Sequence, residues 1–549
     1  MFFAKINNDV IYFYGNRKYN YKRQTRLPPQ RALSERSFFD KRYKIKMSLK
    51  RILSLLLAAL TAGAVFAACG EQASDQPAST TAPAGEAAET EAAETLSDLE
   101  MRAMVSDDLP EADYGGYTWR IVTQDQYKNH YFMDEESGDV FDDAVYGRNL
   151  RVAERYNINY AVAFEGTYDN CSSFVKKSVT AGDDAFDVIS MHVVSLSGCA
   201  VNGYFMNLYD IPYINFEKPW WGQSNIDDLT YHGVALMGVG NYGLNSIGQT
   251  YCMFFDKQKV ASYDLGDMYA IVNDGKWTID NLTGMTSEIY EDLNANGKRD
   301  IEDNYGFATN PYSHINAYLW AFDNPVCAID KEGNISVVIH TPKMSEILEK
   351  LVKITHEYVG TYYDPSYTSS ISTLGGHGGP VDLFRRGGTI FANGLFEYAI
   401  NYYREVDDFG IIPYPKWDEA QEKYQMMVDG GHAAEAVPMT CQDPERTGVI
   451  LEALNAETYK TVVPAYYEIA LKVKYARDNE SIEMLDMIMA NRVFDFGYVY
   501  DNWNGASFWL QDLVKSGKTD FESYYAKNEK KIMKYYQKVF DKFDEYANA

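Results

Sequence analysis

Oxygen-bearing side chains recur at every second position in "DLNANGKRDIED", residues 292–303. An ordinary turn does not need that spacing, whereas a calcium loop does. Such a loop offers side-chain oxygens from positions 1, 3, 5 and 9, a backbone carbonyl from position 7 and a carboxylate from position 12. Here those positions hold Asp292, Asn294, Asn296 and Asp300, the carbonyl of Lys298, and Asp303. Gly297 stands at position 6, where the chain must turn left-handed. Asp303 is shorter than the usual Glu, so it reaches an ion through one oxygen or a water. The spacing predicts one structural Ca2+ that ties a preceding helix to the strand "NYGFATN". A single loop without a second helix is not a sensor that opens a helix pair. The competing reading is an Asx-rich turn that holds no ion.

Other reactive patterns are sparse. HExxH, GxSxG and GxxxxGK[ST] are absent. The "DFG" at 495–497 lacks every other kinase feature and reads as a helix end. His192 and His432 fall near predicted strand ends and read as packing or hydrogen-bonding residues. Paired carboxylates for glycoside hydrolysis find no recognisable strand-end context. The glycine loop "STLGGHGGP" reads as a surface connector. These residues predict binding rather than catalysis.

The elements that must position such residues start well into the chain. Residues 1–46 are basic, lack helical or strand periodicity, and read as an upstream start absent from the native product. "MSLKRILSLLLAALTAGAVFAACG" then supplies Lys50 and Arg51, a short apolar stretch and a small-residue cleavage site ending at Cys69. Residues 47–69 thus read as a secretory signal, and 70–112 as a disordered tether. No aromatic residue occurs between Phe66 and Tyr114, so the tether has little to bury. Taken as about 40 flexible residues, it reaches roughly 35 Å.

Charge and cysteines narrow the class. The chain holds 51 Lys+Arg and 78 Asp+Glu, net −27. Without residues 1–68 these fall to 37 and 75, net −38. That excess argues against nucleic acid, whose phosphates need cations. Cys171, Cys199, Cys252, Cys327 and Cys441 are widely spaced and odd in number, which predicts buried thiols rather than a zinc site.

From residue 113 the pattern becomes regular. Strands are predicted at 117–123, 158–164 and 186–194, with helices at 139–156 and about 174–179 between them. Strand, helix, strand, helix, strand is the signature of an α/β layer with parallel strands, which bind ligands at their carboxyl ends. Further strands are predicted at 251–255, 335–342, 387–393 and 409–417, a helix at 344–358, and mostly helix from 445 onward.

In order, the signal, a "FAAC" lipobox, the tether, "YTWRIVT", "YCMFFDKQKV", "GKWTIDNL", "FRRGGTIFANG", "FGIIPYPKWDEAQ" and "VVPAYYEIALKVKYARDNESIEMLDMI" resemble a family 1 extracellular solute-binding protein. These are carbohydrate-capturing lipoproteins of bacterial ABC importers, distantly similar to maltose-binding protein. The resemblance covers nearly all of 113–549. Phe66 stands where lipoboxes usually carry Leu. It implies an α/β, two-lobed, type II periplasmic-binding-protein-like fold with a ligand cleft at the hinge. Lobe one would be 113–240 with a return at 388–428, and lobe two 241–387 with 429–549. The lipobox implies a lipid on Cys69 and a place on the extracellular face of the bacterial cell membrane. The partners implied are a carbohydrate and an ABC permease.

A sugar site needs aromatic platforms and short polar side chains. Trp220 and Trp221 follow a proline in "KPWWGQSN", and Asn241 and Tyr242 lie at the implied lobe crossing. "FANGLFE" resembles the Asn-Gly-Pro-Trp turn of maltose-binding proteins, which gives Phe396 the platform position. Asp429 in "VDGGH" would re-enter the cleft, and Trp503 in "DNWNG" sits in a lobe-two loop. The expected function is capture of a carbohydrate, expected to be an oligosaccharide, by cleft closure and its delivery to the permease. The alternatives are a surface glycan-binding adhesin and a secreted glycoside hydrolase.

Overall fold

A computed structural model describes residues 98–467 and 479–549. The predicted signal, Cys69 and most of the tether lie outside these residues. The strands that build the two lobes are, in chain order, β1 (Tyr117–Gln124), β2 (Ile158–Gly166), β3 (Val188–His192), β4 (Tyr251–Asp256), β5 (Tyr290–Glu291), β6 (Asn304–Ala308), β7 (Thr361–Tyr362), β8 (Thr389–Leu395), β9 (Phe409–Ile412) and β10 (Ala433–Ala436).

Lobe one is the sheet β10-β3-β1-β2. β1 runs parallel to β2 with Tyr117 opposite Ile158, and parallel to β3 with Ile121 opposite Val188. Helices α1 (Val140–Tyr156), α2 (Tyr168–Ala181) and α3 (Val193–Val201) connect or follow these strands. The start of α1 is set locally. Asp139 accepts hydrogen bonds from the amides of Phe141 and Asp142, and Asn157 ends the helix in a left-handed turn at φ 50°. The expected order of strands and helices at 117–194 matches these elements.

Lobe two is the mixed sheet β9-β4-β8-β6-β5, with β7 paired to β6. β8 is antiparallel to β4 and parallel to β6, and every one of its residues is buried. The predicted lobe assignment fails here. Residues 388–428 do not return to lobe one, since β8 and β9 are central and edge strands of the lobe-two sheet. The return to lobe one comes later, through β10, antiparallel to β3 with Ala433 opposite His192. A helix at Pro444–Glu457 follows, and its Val449, Ile450, Leu451 and Leu454 join Trp119, Ile121 and Tyr156 in the lobe-one core. The chain then contributes Asn479–Ala490, Trp509–Lys515 and Phe521–Ala547 to lobe two, which packs them on β9, on Ser313–Ala321 and on Pro342–His356.

Three further expectations change. The tether ends earlier than residue 112. Asp98–Ala103 is helical, Val105, Leu109 and Ala112 pack on the lobe-one core, and Asp107 pairs with Arg155 at 2.5 Å. The strand expected at 335–342 shrinks to Ile335–Val337, half of a hairpin with Cys327–Ile329. The 292–303 loop does not follow a helix directly. It joins β5 to β6, with Tyr290 opposite Tyr305, so it is the turn of an antiparallel pair. The five described cysteines are free thiols, four of them buried.

Candidate ligand site between the lobes

The carboxyl ends of the lobe-one strands meet the segments that cross between lobes. Gln124 ends β1, and its Oε1 accepts the amide of His192 at the end of β3, at 2.7 Å. The crossings are "NSIGQT" before β4 and "DGGH" before β10. They are tied to each other: the Asp429 amide donates to the Gln249 carbonyl at 2.8 Å, and the Ala433 amide donates to Asn245 Oδ1 at 2.9 Å. Gly430 is pinched between lobes. A Cβ there would lie 2.6 Å from Val194 and 2.7 Å from the Tyr498 hydroxyl, so only glycine fits.

Asp429 is the polar centre. Its Oδ2 accepts the Tyr251 hydroxyl at 3.0 Å and its Oδ1 the Gly431 amide at 2.8 Å. His432 turns Nδ1 to the Asp429 carbonyl at 2.6 Å. Burial pushes His432 and His192 each down to about 4, against the pull of the Asp429 charge. Glu397 follows β8. Burial, with Asp429 adding a like charge, pushes its carboxyl up to about 7, against a hydrogen bond from Gln249. Several buried polar atoms have no protein partner here: Asn245 Nδ2, His192 Nδ1, His432 Nε2 and both ring nitrogens of His314, whose ring stands edge-on to Tyr251. Buried polar atoms are normally satisfied, so these are open to water or to a polar ligand.

A cavity of about 310 Å³ opens beside Glu397, walled by Asn129, His130, Asp139 and Phe141 of lobe one, Asn245 of the crossing, and Arg404 of lobe two. That volume is at the small end for ligand sites. At the carboxyl end of β3, His192 lies between the rings of Tyr168 and Trp503, at 5.3 and 5.5 Å. Trp503 is 53% exposed and stacks on Phe508 at 5.1 Å. Asn502 and Trp503 hold φ of 43° and 61°, strain for non-glycine residues of the kind found at functional loops.

Of the residues expected to bind ligand, Asp429 and Trp503 reach this strip. Trp220 and Trp221 do not: both are fully buried in lobe one, and their indole N–H groups donate to Glu452 at 2.7 and 2.8 Å. Tyr242 is also core, edge-on to Tyr131 and beneath the Arg148 guanidinium. Asn241 donates its amide to the Trp220 carbonyl and lines neither the cavity nor the rim. Phe396 is fully buried below the site, its amide bound to the Thr250 carbonyl. The sequence reading missed Glu397, one residue past Phe396, and Asn245 and Gln249, a few residues past Tyr242. Both lie in segments with a predicted site aromatic, but single polar residues beside an aromatic carry no pattern of their own in the sequence.

In the 292–303 loop the side chains bind the loop's own backbone. Asp292 accepts the amides of Asn296 and Gly297, Asn294 that of Asn296, and Asn296 that of Lys298. Asp303 is buried and already accepts from the Tyr290 hydroxyl and the amides of Leu293 and Asp300. The Lys298 carbonyl accepts the Tyr290 hydroxyl at 3.3 Å. Among the described residues no three His, Cys, Asp or Glu side chains form a group able to hold a metal. The loop's carboxylates are therefore not converged as they stand.

No protein-family model matches the sequence, and no curated protein matches it. Solved structures do. A cyclo/maltodextrin-binding protein complexed with maltotetraose is similar at TM-score 0.50 and 11% identity, over 79% of this chain and 98% of that one. Maltose-bound MalE3 of T. maritima gives 0.47 and 13%, over 78% and 99%. A family 1 extracellular solute-binding protein from Bifidobacterium longum subsp. infantis gives 0.47 and 11%, over 74% and 96%. The likeness to the first of these, at 11% identity, is one of fold: the chain has the two-lobed, periplasmic-binding-protein-like architecture, with its candidate site between the lobes. No described helix is long and apolar enough to cross a membrane.

Proposed function

We propose that this protein is the ligand-capturing component of an ABC importer, binding a carbohydrate between its lobes and passing it unaltered to a membrane permease. The observation that carries the reading is the interlobe strip: Asp429 and Glu397 offer acceptors, Asn245 Nδ2 offers a buried donor without a partner, and Trp503 offers an exposed ring at the rim. Sugars alternate hydroxyls with flat C–H faces, and this mixture suits them. Because the strip draws on both lobes, a ligand there favours the closed form, and the permease reads that form. An oligosaccharide running from the Glu397 cavity toward Trp503 is the ligand we favour. A lipid on Cys69, followed by the flexible segment, would hold the protein at the extracellular face of the membrane.

A thermal-unfolding screen of the mature protein against mono- and oligosaccharides tests the ligand. A true ligand at a hundred times its Kd stabilises by about 2.7 kcal/mol. Asp429→Ala should weaken binding roughly tenfold or more, as expected for a lost hydrogen bond to a charged group. Stabilisation by peptides or other solutes, with none by any sugar, overturns the carbohydrate reading. Cys69→Ser should move the protein from the membrane fraction to the soluble fraction.

The same reading includes one structural Ca2+ in the 292–303 loop, supported by the ligand spacing. Asp292, Asn294, Asn296, the Lys298 carbonyl and Asp300 would hold it, with Asp303 exchanging its present bonds to join. Calcium should then raise the melting temperature over that in chelator, and Asp292→Ala should remove the difference. Identical melting of the wild type in both conditions refutes it.

A further inference from the structure

The Glu397 cavity is acidic in a way that a neutral sugar does not require. Glu397, Asp139 and Asp142 line it, and Asp429 stands near enough to act on Glu397 as a like charge. Asp139 is committed to capping α1, and Asp142 accepts the Ser137 hydroxyl at 3.2 Å. No described Lys or Arg forms an ion pair with Glu397 or Asp429. Arg404, the one described cation on the lining, turns its Nε to the Ile400 carbonyl at 2.5 Å. Independently, Asn245 is only 2% exposed, lines the same cavity, and has its Oδ1 held by Ala433, while its Nδ2, near the Tyr127 hydroxyl, makes no full hydrogen bond in the protein and can donate to an oxygen of a ligand.

From this geometry we infer that the site selects a sugar bearing a protonated amine, whose ammonium sits on Glu397 under the field of Asp429 while Asn245 holds a neighbouring hydroxyl. The inference rests on the carbohydrate reading above and specifies its ligand class. A hydroxyl could donate to the Glu397 carboxylate, but it would leave two like charges unneutralised in a partly desolvated space. An ammonium neutralises them, and Coulomb attraction grows as the effective dielectric falls. Burial first, and the Asp429 charge after it, raise the proton affinity of Glu397, and an ammonium beside it would lower that affinity again.

Calorimetry on the mature protein tests this with glucosamine, galactosamine and the glucosamine disaccharide, each beside its N-acetylated and its neutral hexose counterpart. At pH 7 and low salt the amine should bind at least roughly tenfold tighter than both counterparts, and added salt should shrink the gap. Binding should release a fraction of a proton from Glu397, seen as a dependence of the heat on buffer ionisation enthalpy. Glu397→Gln should bring the ratio of amine to neutral sugar near one, whatever it does to either affinity. Should that variant fail to fold, the wild-type ratio and proton release decide alone. Neutral or acetylated sugars binding as well as the amines, without proton release, overturn the inference and leave the carbohydrate reading standing. A linear diamine binding where no sugar does keeps the cation site and overturns the carbohydrate reading. No binding by sugar or diamine overturns both.

Discussion

Trp221 was expected to stack on a ligand and instead shares a buried carboxylate with Trp220, so its substitution separates the two roles. Trp220 Nε1 and Trp221 Nε1 donate to Glu452 Oε1 and Oε2 at 2.7 and 2.8 Å, and all three side chains are buried. Burial raises the Glu452 carboxyl to about 7, while the two indole donors and Lys218 hold it from rising further. The folded protein therefore binds this proton more tightly than the unfolded chain, and stability falls as pH rises from the unfolded carboxyl range, about 4.5, to about 7. Trp221→Phe removes one donor. Above pH 7 the carboxylate loses a charge-assisted bond worth about 1.5–3 kcal/mol, whereas near pH 5 the protonated acid loses about 0.5–1.5 kcal/mol. The destabilisation should thus be clearly larger at pH 8 than at pH 5. Trp221→Ala adds a cavity, for a total of about 3–5 kcal/mol or more. Guanidinium unfolding followed by far-UV circular dichroism at both pH values measures this without relying on the altered tryptophans. If both variants keep the wild-type midpoint at pH 5 and pH 8 and only weaken sugar binding, Trp221 faces ligand and the packing argument is wrong.

Two other buried carboxylates give further tests. Glu435 accepts the Gly243 amide and the Asn455 side-chain amide, both at 3.0 Å, yet burial raises it to about 8. Stability should therefore keep falling between pH 7 and 8; Glu435→Gln should flatten that decline while costing about 1 kcal/mol, because its new amide meets the Asn455 donor. Asp495 accepts four donors, the indole N–H of Trp320 and the amides of Val326, Cys327 and Gly497. Asp495→Asn turns an amide toward two of them and should destabilise by about 2–4 kcal/mol in chemical unfolding; a neutral result would mean the lobe-two loop relaxes freely around it.

Much of the fold was legible because it is written in local periods and caps. β1, β2, β3 and α1 lie within a residue or two of their predicted ends, since alternation, helical spacing and the Asp139 cap act over a few residues. The lobe to which each strand belongs was not legible. β8 is apolar or small and buried along its whole length, so its pattern fits the centre of either sheet; only pairing with β4 and β6 chose lobe two. β10 is buried throughout despite carrying Glu435, which its sequence alone does not signal, and its pairing with β3 made it the return to lobe one.

The site divides in the same way. Asp429 and Trp503 stand in glycine- and asparagine-rich breaks that the sequence marks as turns. Trp220 and Trp221 follow a proline in an irregular segment that looks exposed, and nothing nearby in sequence signals the carboxylate that takes both indole protons. Glu452 lies more than 200 residues away on a helix of the returning segment. The sequence by itself determined the α/β elements, the acidic balance and the spacing of a calcium-type loop. The tertiary structure alone decided which aromatics are core and which face the cleft, and that Glu397 and Asn245 share one cavity. Burial and long-range partners are properties of the packed chain, and a side chain's own type and neighbours in sequence do not carry them.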